Sequence, residues 1–120
     1  MDESTDRPAH RLILLTAGAL ADLANIDNAT AAMWGDAQAD RYLGFLGEMF
    51  SILAHNPKIA AIVEQRPGYL VFTAKYSKRR SAHGHRIFFR EIDGGIEIIR
   101  LLHTAMYWPD HITGHEDGPR

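Results

Sequence analysis

The chain has 120 residues, of which 46% are hydrophobic and 23% are charged, and its formal net charge at pH 7 is −2. This size and balance are typical of one globular domain, and the absence of cysteine excludes a disulfide framework, a thiolate metal site and a cysteine nucleophile. No apolar run approaches the roughly 20 residues that span a bilayer, and the acidic N-terminus is unlike a signal peptide, so we expect a cytoplasmic protein.

A strand followed by a helix is predicted first. Arg11 to Leu15 (RLILL) is a short apolar run typical of a strand, and Thr16 can accept a backbone N–H as a helix N-cap. Apolar side chains then recur at helical spacing until Gly35, a residue that favours a helix end. The same spacing assigns Asp22 to the polar side of this helix.

A second amphipathic helix is predicted from Asp36, as its N-cap, to Asn56-Pro57, where the proline excludes further helix. Because about two residues join the two helices, they should form an antiparallel hairpin with one shared apolar face. Residues 58 to 66 (KIAAIVEQR) are expected to add a short helical stretch.

The second half of the chain predicts strands, since aromatic and β-branched residues replace alanine and leucine. The first of them is either Tyr69 to Thr73 or Tyr76 to Ser81. Arg86 to Ile92 and Ile96 to Leu102 are joined by Asp93-Gly94-Gly95, which favours a tight hairpin.

The hairpin register decides which side chains face one another. If the two glycines form the loop, Phe89 lies opposite Arg100 and Glu91 lies diagonal to Arg100. A slip of one residue would exchange the two faces.

The fold class is therefore α+β, with a two-helix antiparallel hairpin packed on a small, mainly antiparallel sheet in the order β-α-α-β-β-β. We expect a single domain over residues 10–112, with flexible termini at 1–9 and 113–120.

Several short motifs occur in an order and spacing that resemble one family. They are Trp34-Gly35 with Gln38, Ala39 and Tyr42, the pair Asn56-Pro57, the strand His85 to Arg90, and Arg100-Leu101-Leu102-His103. Residues 10 to 112 resemble the ParE branch of the RelE/ParE toxin superfamily, the toxins of bacterial type II toxin-antitoxin (plasmid stabilisation) systems. One departure is Phe89, which stands where the family pattern usually has a tyrosine.

The resemblance implies a RelE/ParE-like fold and a cognate antitoxin, often with a ribbon-helix-helix N-terminus and a C-terminal segment that wraps the toxin. Typical ParE toxins inhibit DNA gyrase, so we expect gyrase inhibition by protein–protein contact, with no cofactor, no membrane and no direct DNA binding by the toxin alone. Two alternatives stay open. RelE relatives cut mRNA on the ribosome, and an inactive relative would only bind its antitoxin.

A nuclease would need an acid, a base and cations on the phosphate. The candidates for these roles are Arg80, His85, Arg100, His103 and Tyr107. The competing interpretation is structural, with the histidines packed at strand ends and Arg100 paired with Glu91. We expect no metal site, because His83, His85 and His103 would need a further ligand of suitable geometry.

A basic stretch is the candidate antitoxin-binding site, since cations can receive the acidic side chains of a partner. Its members are Lys78, Arg79, Arg80, Arg86 and Arg90. The alternative is a solvated edge strand whose charges prevent aggregation. Tyr107-Trp108-Pro109 after the last strand either closes the core or marks an interface.

Overall fold

Two long helices and a five-stranded sheet make up residues 10–76 and 84–116, the parts of the chain that this computed structural model describes. In chain order they are β1 Leu12–Leu15, α1 Ala17–Trp34, α2 Asp36–His55, β2 Ala61–Ile62, β3 Leu70–Ala74, β4 His85–Ile92 and β5 Gly95–His103. The sheet order is β1-β5-β4-β3-β2, and only the pairing of β1 with β5 is parallel among these strands. The predicted α+β class and element order are confirmed, with β2 as an additional strand.

The helical hairpin begins and ends at the predicted residues. The Thr16 hydroxyl accepts the N–H of Ala19 at 3.0 Å and donates to the carbonyl of Ile99 at 2.7 Å, so this cap also binds α1 to β5. Gly35 separates the helices with a φ of 92°, which favours glycine. Asp36 is the first residue of α2 and Gly35 its N-cap, so the prediction for Asp36 was one residue off.

The short helix predicted for residues 58 to 66 is wrong. A 3-10 turn at Pro57–Ile59 leads into β2, which pairs with β3 through Ala61↔Val71 and Ile62↔Leu70. A helix of so few residues is marginal by itself, whereas the strand gains backbone hydrogen bonds from an existing sheet edge. The strand after it, β3, corresponds to the Tyr69–Thr73 alternative; residues 77–81 of the other alternative lie outside the described residues.

The β4–β5 hairpin turns at Asp93-Gly94, not at the two glycines, because Ile92 pairs with Gly95. A β-carbon on Gly95 would overlap the Leu12 carbonyl oxygen, so glycine lets β1 approach β5. A bulge then shifts the register: Phe88 pairs with Arg100 and Phe89 with Ile98. The expectation that Phe89 lies opposite Arg100 is therefore wrong.

Both faces of the sheet are covered. On the helix-facing side a cluster of buried side chains joins the sheet to α1 and α2: Ile26, Leu46, Phe50, Leu53, Ile87, Phe89, Ile96, Ile98 and Leu101. On the back face a smaller cluster lies beneath the C-terminal segment: Val63, Tyr69, Phe88, Ile99, Leu102 and Ile112. The Trp108 ring packs 5.5 Å from that of Phe88, while Tyr107 is 70% exposed, so the Tyr107-Trp108 pair divides between core and surface.

Candidate functional site

An open groove lies between the C-terminal half of α1, the start of α2 and the ends of β4 and β5. Its volume is about 630 Å³. Its lining includes Asp22, Met33, Trp34, Tyr42, Tyr76, His85, His103 and Met106. Clefts that bind ligands commonly have volumes in this range.

The groove forms where α1 stops packing on the core. The buried residues of α1 are Ala19, Asp22 and Ile26, all in its first ten positions. Met33 and Trp34 near its end are 72% and 70% exposed. The C-terminal half of the helix therefore forms one wall of a groove instead of a face of the core.

Five aromatic rings meet at the α2 end of the groove, and we call them the ring cluster: Tyr42, Phe45, Tyr76, His85 and His103. The ring centroids of neighbouring members are between 5.2 and 6.1 Å apart. Tilted and edge-on arrangements at such distances are favourable for aromatic side chains. Four of the five, all but Phe45, also line the groove.

The polar contact within the ring cluster is short. The Tyr42 hydroxyl and His85 Nδ1 share a hydrogen bond of 2.6 Å. Burial, with a smaller effect of His103, lowers the pKa of His85 to about 4, although Asp22 acts in the opposite direction. Burial also raises the pKa of Tyr42 to about 12. The pair is therefore uncharged at neutral pH, and its surroundings disfavour charge on either ring.

An ion pair between α1 and β5 lies behind the groove. Arg100 donates from Nε to Asp22 Oδ2 at 2.7 Å and from Nη2 to Oδ1 at 3.0 Å, and these hydrogen bonds to Asp22 raise the pKa of Arg100. The expected pairing of Arg100 with Glu91 is wrong, because the bulge turns Arg100 towards α1. The assignment of Asp22 to the polar side is also wrong. A signal was present, since Asp22 is three residues after buried Ala19 and four before buried Ile26.

The structure brings two of the five catalytic candidates together. His85 and His103 pack edge to face at the groove, with ring centroids 5.4 Å apart, and His103 Nδ1 accepts the N–H of Ala105. Arg100 is engaged by Asp22, and exposed Tyr107 is not part of the groove wall. Arg80 lies outside the described residues. Sequence reasoning did not assign a site role to Tyr42, Trp34 or Met33.

Of the basic stretch, the structure describes Arg86 and Arg90, and neither lines the groove, although Arg86 Nη1 donates to the carbonyl of Met106, which does. Arg86 and Arg90 alternate with Phe88 of the back-face cluster, so they share the face of the sheet opposite α1 and α2. Arg86 Nη1 donates to the carbonyl of Thr104 at 2.9 Å, and Arg90 Nε donates to Glu97 Oε1 at 2.9 Å. Lys78, Arg79 and Arg80 belong to the segment that the structure does not describe.

Residues 10–76 and 84–116 contain neither a cluster of metal-binding side chains nor a membrane-spanning helix. No group of three or more histidine, cysteine, aspartate or glutamate side chains there is arranged to hold a metal ion. Neither of the two long helices in these ranges has the length and hydropathy to cross a membrane.

The family model for the ParE toxin of the type II toxin-antitoxin system parDE matches residues 13–108. The chain belongs to the ParE toxin family. The match extends from β1 past β5 to Trp108, so it includes every element that lines the groove. No curated protein matches the chain in sequence.

A solved structure shows the same fold. The chromosomal ParDE toxin-antitoxin system from P. aeruginosa contains a chain that superposes with a TM-score of 0.61 at 21% sequence identity. The superposition covers 76% of this ParE-family chain and 92% of that one. The helical hairpin on a mainly antiparallel sheet is thus the RelE/ParE-like architecture that the sequence predicted.

Proposed function

We propose that this ParE-family chain is a cytoplasmic toxin that inhibits DNA gyrase by protein–protein contact and is neutralised by a cognate antitoxin of the ribbon-helix-helix type. The observation that carries the proposal is the family match over residues 13–108. The similar P. aeruginosa structure is titled a ParDE toxin-antitoxin system, which supports an antitoxin partner for this chain as well.

The groove chemistry favours inhibition by contact over RNA cleavage. A general base works best when its pKa is near the working pH, whereas burial lowers the pKa of His85 to about 4. Arg100, the candidate phosphate-binding cation, has its Nε and Nη2 occupied by Asp22. A ribosome-dependent nuclease would need the pKa of His85 to rise towards neutral pH, and Arg100 to separate from Asp22, before it could act.

Expression of the chain by itself tests whether it is a toxin. We expect growth arrest, and we expect co-expression of the small reading frame beside the gene to restore growth. Soluble, folded protein that leaves growth unchanged would contradict toxicity and favour an inactive relative that only binds its antitoxin.

The target is tested with purified gyrase in a supercoiling assay and with primer-extension mapping of cellular transcripts. The variants are His85→Ala and His103→Ala, each checked by thermal melting. Gyrase inhibition should survive in folded variants, because a single contact contributes only a fraction of the binding free energy. Loss of a general base, in contrast, typically lowers a reaction rate about 100-fold or more. Codon-positioned cleavage that the folded His85→Ala variant loses, with supercoiling unaffected, would identify a nuclease instead.

A further inference from the structure

The segment that follows β5 lies over the back face of the sheet without joining it as a strand. We propose that residues 108–116, which we call the strap, form a hinged cover that moves off the back-face cluster as one unit while both helices and the sheet stay folded. Tyr107 is the hinge, and Arg66 holds the strap closed. The inference concerns contacts within the chain, so it stands whether or not the protein is a toxin.

The strap has hydrogen bonds of its own. The N–H groups of His111 and Ile112 donate to the Trp108 carbonyl at 2.8 and 3.1 Å, and the Gly114 N–H donates to the Glu116 carboxylate at 3.0 Å. Among the residues that the structure describes, no backbone–backbone hydrogen bond joins residues 108–116 to a strand. Opening of the strap therefore breaks no hydrogen bond of the sheet, and its free-energy cost is local.

The side chain of Arg66, in the turn between β2 and β3, makes three contacts with the strap. Its Nε donates to the Ile112 carbonyl at 2.7 Å, and its Nη2 donates to the Pro109 carbonyl at 3.4 Å. Its guanidinium carbon lies 5.3 Å from the centroid of the Trp108 ring, within the range of a cation–π contact. Hydrogen bonds from a charged donor are stronger than those between neutral groups, so Arg66 is the main polar attachment of the strap.

The end of the strap is attached to the same turn. The Tyr69 hydroxyl donates to Glu116 Oε1 at 2.9 Å and accepts the Glu116 N–H at 3.2 Å. A further hydrogen bond reaches β5, from Arg100 Nη1 to the His111 carbonyl, but its length is 3.5 Å. β2 and β3 pair through two residues each at the outer edge of the sheet. The shorter polar contacts thus attach the strap to a small edge hairpin and not to the central strands.

Tyr107 separates the strap from a part of the chain that is held in place. Before it, Arg86 Nη1 donates to the Thr104 carbonyl at 2.9 Å, and the Thr104 N–H donates to the Gly84 carbonyl at 3.0 Å. After it, the Trp108 ring packs on the back face. Tyr107 itself is 70% exposed, and its backbone is extended. Because φ and ψ are the soft dihedrals of the chain, rotation at Tyr107 moves the strap and leaves the preceding turn in place.

The strap covers an apolar surface. Ile112 is 1% exposed, the Trp108 ring lies 5.5 Å from that of Phe88, and beneath them Phe88 and Ile99 are fully buried. These apolar contacts favour the closed position. In the open form Phe88 and Ile99 reach the surface, and contiguous exposed apolar patches on monomeric proteins mark interaction sites. The closed strap therefore occupies a surface that the open form offers to other molecules.

Two neighbouring residues of β5 allow the test, because the chain has no cysteine and an introduced thiol is unique. Ile99 lies beneath the strap and Ile98 faces the helices, and both are 0% exposed. Ile99→Cys and Ile98→Cys are each labelled with methyl methanethiosulfonate in the folded protein, and the adduct is followed by mass spectrometry. We expect Ile99→Cys to be labelled at least about tenfold faster, at a rate unchanged by low urea concentrations, since opening of the strap exposes little surface.

Two results of this labelling would overturn the hinged strap. One is equal labelling of the two variants. The other is a labelling rate of Ile99→Cys that rises with urea in parallel with global unfolding.

A second substitution tests the role of Arg66. Adding Arg66→Ala should accelerate the labelling of Ile99→Cys by roughly tenfold or more and that of Ile98→Cys by less than about twofold. Arg41→Ala is the control, because Arg41 is exposed and its side chain donates to Gln38 of the same helix, so neither rate should change. Equal acceleration at both positions, or no acceleration at either, would overturn the assignment of Arg66 as the residue that holds the strap closed.

A second pair of neighbours keeps the proposal testable if an isoleucine variant does not fold, which thermal melting establishes. Leu102 belongs to the back-face cluster and Leu101 to the helix-facing one, and they are 1% and 3% exposed. Leu102→Cys should be labelled faster than Leu101→Cys, and Arg66→Ala should increase the difference. Equal rates, or faster labelling of Leu101→Cys, would overturn the proposal.

Discussion

Asp22 and Arg100 join the first helix to the last strand through a two-pronged ion pair, 2.7 Å from Nε to Oδ2 and 3.0 Å from Nη2 to Oδ1. Oδ2 also accepts the backbone N–H of Leu101 at 2.9 Å. The backbone N–H of Leu101, two residues after the bulged Ile99, is thus satisfied by a side chain of α1. The buried Asp22 carboxylate accepts three hydrogen bonds in all. It thereby stabilises an irregular strand, which would otherwise leave the Leu101 amide unpaired.

Removal of this carboxylate should destabilise the fold. We expect Asp22→Ala to lower the free energy of unfolding by about 2–4 kcal/mol, since it leaves the Leu101 N–H and part of the Arg100 guanidinium without acceptors. Urea unfolding of Asp22→Ala and of Asp27→Ala measures the effect. Asp27 is an exposed aspartate on the same helix, so its loss should have an effect below about 0.5 kcal/mol. Similar unfolding midpoints for the two variants would contradict a structural role for the pair.

The pKa of His85 predicts how stability depends on pH. Its pKa is about 4 in the folded protein against an ordinary 6.5, so between these values the unfolded chain binds the proton more readily. The contribution of His85 is therefore complete above pH 6.5 and is lost as the pH falls towards 4. Because the ring is partly solvated, we expect the loss between pH 7 and pH 5 to be about 1 kcal/mol.

Thermal or urea unfolding of the wild type and of His85→Gln at both pH values isolates this contribution, since the other titrating groups cancel in the difference. The wild type should lose more stability on acidification than the variant. Parallel losses in the two proteins would show that His85 titrates normally in the folded state.

Two glycines should respond to alanine in opposite ways. Gly47 lies on the exposed side of α2, where an added methyl group would meet no atom within 4 Å, so Gly47→Ala should stabilise the protein by about 0.5–1 kcal/mol. Gly95→Ala would drive its β-carbon into the Leu12 carbonyl and separate β1 from β5. We expect melting temperatures above the wild type for Gly47→Ala and well below it for Gly95→Ala. A neutral Gly95→Ala would contradict the close β1–β5 approach.

The neighbouring aromatic residues Tyr107 and Trp108 should also differ. Trp108 packs on Phe88, and the Arg66 guanidinium lies 5.3 Å from its ring centroid. Trp108→Ala should lower the free energy of unfolding by about 2 kcal/mol, since part of a back-face cover is lost. Tyr107→Ala should change it by less than about 0.5 kcal/mol. Chemical denaturation of both variants measures the difference, and equal effects would mean that Tyr107 also contributes to the core.

Local signals were sufficient for the helical hairpin. Thr16, Gly35 and Asn56-Pro57 act on their immediate neighbours, so each helix end could be predicted from adjacent residues. The β5 bulge could not, because the Asp22 contact that accompanies it spans 79 residues of sequence. The short β2 strand was missed for a related reason: its hydrogen bonds depend on a sheet edge and not on its own composition.

The candidate site was predicted in part. The sequence predicted His85 and His103 as candidate site residues at the ends of two strands, and the hairpin register places them opposite each other. Their partner Tyr42 belongs to α2, and no spacing rule connects a helix position to a ring 43 residues away. The groove itself follows from where α1 stops packing on the core, a property of the assembled layers and not of any single element.

The pairing of β1 with β5 has a consequence for the order of assembly. During synthesis, the helical hairpin is complete long before Gly95–His103 exists, yet the strand that precedes α1 pairs with β5, and the Thr16 hydroxyl that caps α1 donates its hydrogen bond to β5. The two helices must therefore remain without a completed sheet until the last strand has been made. We therefore expect a truncated or stalled chain to expose these apolar faces instead of enclosing a core, which would make incomplete copies susceptible to proteolysis.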